Sequence, residues 1–152
     1  MVMTRRKLLR IIDKDRLKEA IRKAEDRTSG EICVSVAPLF WGSIEKAADK
    51  AFVRMGMTRT RERNGVLFFV VPARRKFVVL GDRGIHEKVG QDFWNRVASA
   101  VSSKFKEGDF TGGLIHGIEE VGEQLATHFP HQIDDKNELS DDVDFGNSGT
   151  DV

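Results

Sequence analysis

The sequence predicts a single α/β domain: a three-layer α/β/α sandwich on a small mixed β-sheet, Rossmann-like in layout. Two short apolar runs carry the prediction, Val-Leu-Phe-Phe-Val-Val at 66–71 and Phe-Val-Val-Leu at 77–80. Runs of this length without polar alternation, bounded by turn residues, read as strands buried on both faces. Their linker, Pro72-Ala-Arg-Arg-Lys76, is short enough for a hairpin. Strands buried on both faces need helices above and below, and the flanking chain is amphipathic at helical spacing on both sides of the hairpin.

In chain order, residues 1–12 form a basic lead-in and the domain spans 13–131. Asp13 caps a helix whose Leu17, Ala20, Ile21 and Ala24 share one face, and Thr28-Ser-Gly30 ends it. Residues 31–38 follow as an inner strand, with Ile32, Val34 and Val36 on one side and Cys33, Ser35 and Ala37 on the other. Ser43 caps a second helix carrying Ile44, Ala47, Ala48, Ala51, Phe52 and Met55 inward, and Gly56 stops it. Strand, helix and strand make a βαβ unit, which implies a parallel pair.

After the hairpin, Gly81-Asp-Arg-Gly84 marks a turn, and 85–89 form a short irregular or helical piece before Gly90. A third helix starts near Gln91, with Trp94, Val97, Ala98, Val101 and Phe105 inward. Asp109 starts the last helix, striped by Leu114, Ile118, Val121 and Leu125, and Phe129-Pro130 ends it.

Charge divides the chain unevenly. Residues 132–152 hold seven acids against Lys136 among Ser, Gly and Asn, a composition that predicts a solvated, disordered acidic tail. Since the whole chain is +1, the folded part is mildly basic, at about +7, with clusters at Arg5, Arg6, Lys7 and Arg10 and at Arg54, Arg59, Arg61 and Arg63. The basic residues lack a stacking-aromatic motif, so there is no strong nucleic-acid signal. A lone cysteine, Cys33, sits in a strand pattern and reads as core. Neither a signal peptide nor a membrane span is legible, so the reading is a cytoplasmic protein.

Several segments occur together in a fixed order. Thr28-Ser-Gly-Glu-Ile32 leads into the first strand and Asn64-Gly-Val-Leu67 opens the second. Arg75-Lys76 lies in the hairpin turn, Gly81-Asp-Arg-Gly84 closes the hairpin, and Asp92 lies near a helix start. Phe105-Lys-Glu-Gly-Asp-Phe-Thr-Gly-Gly-Leu114, the most specific piece, comes last. In these residues, over about 15–130, the chain resembles the TPM domain family of thylakoid-lumen phosphatase-type and repair-factor-like domains. The resemblance implies an α/β/α sandwich, an acid-lined cleft, divalent-cation (calcium) binding in some members and acid phosphatase activity in a plant branch. Other members act as accessory factors of membrane complexes. For this chain it implies a divalent-cation-binding accessory or interaction domain of a bacterial-type cytoplasmic protein. The alternative is a metal-assisted acid phosphatase hydrolysing a phosphate ester.

Candidate chemistry lies in the connecting turns. Asp82, Asp92 and Asp109, with the Asn64 amide oxygen, form an oxygen ligand set suited to Ca2+ or Mg2+, and Asp82 and Asp109 are the catalytic candidates. Each has a structural alternative: a helix cap for Asp109, an Asx-type turn for Asp82, helix-dipole compensation for Asp92 and a loop end for Asn64. Gly112 and Gly113 point either to close helix packing or to a ligand approaching the backbone. The four histidines suggest no zinc set: Pro130 separates His128 from His131, and His86 and His116 are isolated. Neither a cysteine phosphatase loop, a P-loop nor a nucleophile elbow occurs. The Phe40-Trp41 loop either folds over the core or, with the acidic tail, engages a protein partner.

Overall fold

The computed structural model describes residues 5–131 and 143–146. Its elements are α1 (Arg5–Ile11), α2 (Lys14–Glu25), β1 (Glu31–Val36), α3 (Ile44–Arg54), β2 (Gly65–Val71), β3 (Lys76–Gly81), α4 (Arg83–Lys106) and α5 (Phe110–His128). β2 lies between β1, its parallel partner from Glu31↔Gly65 to Val36↔Val70, and β3, its antiparallel partner.

Every residue of β1 and β2 is buried. Because side chains alternate along a strand, the sheet feeds two separate cores. Ile32, Val34, Val36, Val66, Phe68 and Val70 pack with α1, α2, α4 and α5. Cys33, Leu67, Phe69 and Val71 pack instead with Ile44, Ala48 and Phe52 of α3. The sandwich is thus lopsided: among the described residues α3 is the one α-helix on that face, with Met57 beside it.

The expected caps form. The Asp13 carboxylate accepts from the Arg16 amide at 3.1 Å, and Ser43 Oγ accepts from the Lys46 amide at 3.1 Å. α4 begins at Arg83 and is broken at Gly90, where φ is 78° and ψ 169°. The break falls where the sequence places it, and the positive φ explains the glycine.

Three expectations are corrected. The basic lead-in is part of the fold: α1 places Leu8 (1% exposed) and Ile12 (0%) in the larger core. Seven residues are too few to give a clear helical pattern, which is why composition alone left this segment outside. The second correction concerns β3, which is half-buried rather than enclosed. Its Phe77, Val78, Val79 and Leu80 touch both cores, but it lies at the sheet's edge.

The third correction concerns the acidic tail, most of which lies outside the described residues. Residues 143–146, however, dock on the free edge of β1. The Asp144 amide donates to the Val34 carbonyl at 2.8 Å and the Val36 amide donates to the Asp144 carbonyl at 2.7 Å. Val143 and Phe145 enter the larger core, while the Asp144 side chain turns to the α3 side. There Ser35 Oγ donates to it at 2.6 Å and Arg54 donates at 2.9 and 3.3 Å. Burial alone would raise the Asp144 pKa, but hydrogen bonds from Arg54 and Ser35, the Arg54 charge and the Gly146 amide together hold it below its ordinary value of 3.8. An acidic composition concealed this anchor, in which Val143 and Phe145 flank Asp144.

Two measurements check these corrections. Leu8→Ala is expected to cost about 2–5 kcal/mol in urea denaturation, the usual loss for a buried leucine; a lead-in outside the fold would lose almost nothing. A depressed carboxylate pKa contributes stability that is present above the unfolded value and lost as pH falls through the folded one. The stability gap between wild type and Asp144→Asn should therefore stay constant from pH 8 to about 5 and close only below the ordinary value of 3.8.

Candidate functional site

Two of the sequence-selected residues meet at the end of the sheet where β1 and β2 begin. Asp82 is 7% exposed. Its carboxylate accepts from Arg63 Nε at 2.6 Å, from Arg63 Nη2 at 2.9 Å and from the Arg83 amide at 2.8 Å. The hydrogen bonds that Arg63 donates to Asp82, first among causes, raise the Arg63 pKa above its ordinary value. This is a bidentate ion pair at the start of α4, with both carboxylate oxygens engaged.

The local backbone is built to allow it. The Gly84 amide donates to the Arg63 carbonyl at 2.8 Å. A Cβ on Gly84 would lie 2.1 Å from the Glu62 carbonyl oxygen, and one on Gly81 would lie 2.2 Å from the Trp94 ring. Trp94 Nε1 in turn donates to His86 Nδ1 at 3.0 Å. Gly81-Asp-Arg-Gly84 is thus a packing knot: two glycines admit a ring and a backbone, and the aspartate ties the loop before β2 to α4.

Beside it, Asn64 is 1% exposed. Its Nδ2 donates to Ser29 Oγ at 3.3 Å and to Glu62 Oε2 at 3.4 Å, and Ser29 Oγ donates to the same Glu62 oxygen at 2.7 Å. Among the described residues, Asn64 Oδ1 is buried without a hydrogen-bond partner. Glu31, buried at the first position of β1, pairs in register with Gly65. Thr28 closes this corner by donating from Oγ1 to the carbonyls of Leu125 and Phe129 at the end of α5.

Asp109 lies at the opposite end. It caps α5, accepting from the Gly112 amide at 2.9 Å. It follows the last turn of α4, whose Lys106 carbonyl accepts from Arg75 Nη1 at 2.9 Å just beyond the end of β2. Asp82, by contrast, donates its amide to the Gly65 carbonyl at the first residue of β2. Seven residues of extended strand separate the two ends by roughly 20 Å. Asp92 is exposed on α4, two residues beyond the Gly90 break.

The four oxygen ligands therefore do not converge, and as a set they do not fit a calcium site. No group of three or more His, Cys, Asp or Glu side chains able to hold a metal occurs among the described residues. Gly112 leaves room for the capping carboxylate, which a Cβ would approach to 2.2 Å, and Gly113 admits the Phe105 ring. Close packing thus accounts for the Phe-Thr-Gly-Gly-Leu segment.

That same end carries the Phe40-Trp41 loop. Phe40 packs edge-on against Phe69 at 6.4 Å, so one ring covers the smaller core. Trp41 is 90% exposed. Arg74 Nη1 donates to the Gly42 carbonyl at 3.0 Å, and its guanidinium lies 5.5 Å from the Phe40 ring centre. Arg75 and Lys76 are exposed at the adjoining hairpin tip. The sequence alternatives thus divide between two neighbours: Phe40 folds inward and Trp41 faces solvent.

Sequence reasoning missed Arg63, Glu62, Ser29 and Arg54. The Arg63 pairing depends on a left-handed backbone, φ 53°, two residues before β2, and a non-glycine residue gives no sign of it in sequence. No helix among the described residues is long and apolar enough to cross a membrane.

The model of the TPM domain matches residues 2–124. Among solved structures, that of the BA42 protein from the psychrophilic bacterium Bizionia argentinensis is 37% identical. It has a TM-score of 0.82 and covers 88% of this chain and 92% of its own. The N-terminal domain of the cg2496 protein from Corynebacterium glutamicum is 17% identical with a TM-score of 0.58, covering 73% and 70%, a likeness of fold alone. No curated protein matches the chain.

Gly84→Ala should lower stability more than Gly81→Ala, because backbone yields less readily than a ring. Gly81→Ala should cost about 1–3 kcal/mol by overpacking, measured by urea denaturation. A ligand loop would show the opposite pattern, with stability kept.

Proposed function

Because the chain belongs to the TPM domain family, we propose that it is an accessory domain that docks a protein partner, rather than a hydrolase. One observation carries the reading: the exposed Trp41 ring, on a loop braced from below by Arg74 and Phe40. Burying a tryptophan removes roughly 200 Å² from water, a gross gain of about 5 kcal/mol before ordering costs. Bracing lowers those costs, since less loop freedom is lost on binding. The neighbouring Arg75 and Lys76 favour an acidic partner surface. On the hydrolase side, the two catalytic candidates are engaged at opposite ends, Asp82 with Arg63 and Asp109 with the first turn of α5. Neither is placed to assist the other at one phosphoryl group.

A second reading keeps the cation, at a smaller site. The unpartnered Asn64 Oδ1 lies in the same corner as the Glu62 carboxylate, and a hard ion takes oxygen donors of both kinds. Two protein oxygens with water make a weak site, one that steadies the corner without supporting chemistry.

Trp41→Ala should leave the unfolding midpoint unchanged, and the partner that co-purifies with wild type should be lost from Trp41→Ala and from Arg75→Glu. Turnover of p-nitrophenyl phosphate that disappears in Asp82→Asn or Asp109→Asn would overturn the accessory reading. For the smaller site, calcium at a hundredfold over its Kd should add about 2.7 kcal/mol, a Tm rise of about 5–10 °C, and Glu62→Gln should abolish it. A wild-type Tm unmoved by calcium removes the cation.

A further inference from the structure

The free edge of β1 is a strand edge with unusual chemistry beside it. An unpaired edge offers a row of amides and carbonyls to any extended segment, and here Val34 and Val36 pair with Asp144. Among the described residues one bridge forms there, Ser35↔Asp144, against six pairs between β1 and β2. What fixes the segment is its side chains. Val143 and Phe145 (9% and 8% exposed) point to the larger core. Asp144 points the other way, to Ser35 Oγ and the Arg54 guanidinium that ends α3. Gly146 has φ 95°, a value that glycine adopts freely.

We propose that this edge is a docking site for an extended apolar–Asp–apolar–Gly segment of a partner protein, which the chain's own residues 143–146 fill as an internal ligand. Strand addition of this kind draws affinity from backbone bonds and specificity from alternate side chains. The specificity elements here are Ser35 and Arg54 for the carboxylate and two apolar positions one residue to either side. The partner's segment must carry the acid between two apolar residues, because a one-residue slip would point the carboxylate into the apolar core. An internal ligand gives way, by mass action, to a competing strand at high enough concentration. The tail thus sets a threshold on what the edge accepts. This site is separate from the Trp41 loop and does not rest on it.

The test uses the full chain and a fluorescein-labelled peptide of residues 139–148, followed by anisotropy, with amide exchange of Val36 as the reporter of an open edge. Phe145→Ala weakens the internal ligand while leaving Ser35 and Arg54 intact. It should speed Val36 exchange at least tenfold and tighten peptide binding at least tenfold over wild type. A peptide carrying Asp144→Ala should not bind, and Arg54→Ala added to Phe145→Ala should remove binding. Asp144→Ala is a second release variant should Phe145→Ala not fold. An edge that exchanges freely and still rejects the peptide overturns the proposal, as does a release variant with unchanged Val36 exchange. Concentration-dependent dimers of wild type with Val36 protected would make a second copy the occupant and equally overturn it.

Discussion

The complete burial of β2 is the constraint on which the remaining structure depends. All seven of its residues are shielded from water, so each peptide group needs a partner inside the protein, since a buried backbone group left unpaired costs about 1–3 kcal/mol. β1 and β3 supply those partners, one parallel and one antiparallel. Its side chains leave alternately to two cores, so two helical layers follow. Among the described residues one layer has the single α-helix α3, which relies on small residues, Ala48 and Ala51, to lie close to Leu67, Phe69 and Val71. The other face is wider and needs four helices, including the seven-residue α1 that seals its end with Leu8.

The same constraint explains what the sequence made legible. A strand buried on both faces writes itself as a continuous apolar run, and a capped helix writes itself as Asp13 or Ser43 before a 3.6-residue stripe. Both signals are local, and both elements were readable. β3 was misread as enclosed because its apolar run matches that of an inner strand; it ends the strand order and, among the described residues, lacks the cover that residues 143–146 give the other end strand, β1. The docking of residues 143–146 was unreadable for a related reason. Its partners are the edge of β1 and Arg54, 90 residues earlier in the chain, and an aspartate flanked by two apolar residues carries no mark of a distant arginine.

The candidate site failed differently. Aspartates in turns before helices serve as caps, as ion-pair partners or as ligands, and those roles share one sequence pattern. Geometry separates them. Asp82 faces the guanidinium of Arg63, a residue with a left-handed backbone, and Asp109 faces the amide of a glycine whose missing Cβ leaves the space. The residues gathered near Asn64, namely Ser29 and Glu62, lie 35 and 2 positions from it. They meet because the parallel register puts the starts of β1 and β2 side by side.

A division of labour between the sheet's boundaries follows. Where β1 and β2 begin, buried polar groups tie loops to helices: Arg63 to Asp82, Thr28 to α5, Ser29 to Glu62. That end is fixed by mutual hydrogen bonding, and mobility there would leave buried polar groups unpaired. At the far end the chain presents a tryptophan to water, braced by a cation over a neighbouring ring. Along the β1 edge, among the described residues, it closes the sheet through the single bridge Ser35↔Asp144. Recognition requires surface that gains by being covered. The braced ring and the lightly closed edge meet that condition, whereas the packed Gly81-Asp-Arg-Gly84 knot, already satisfied by its own chain, does not.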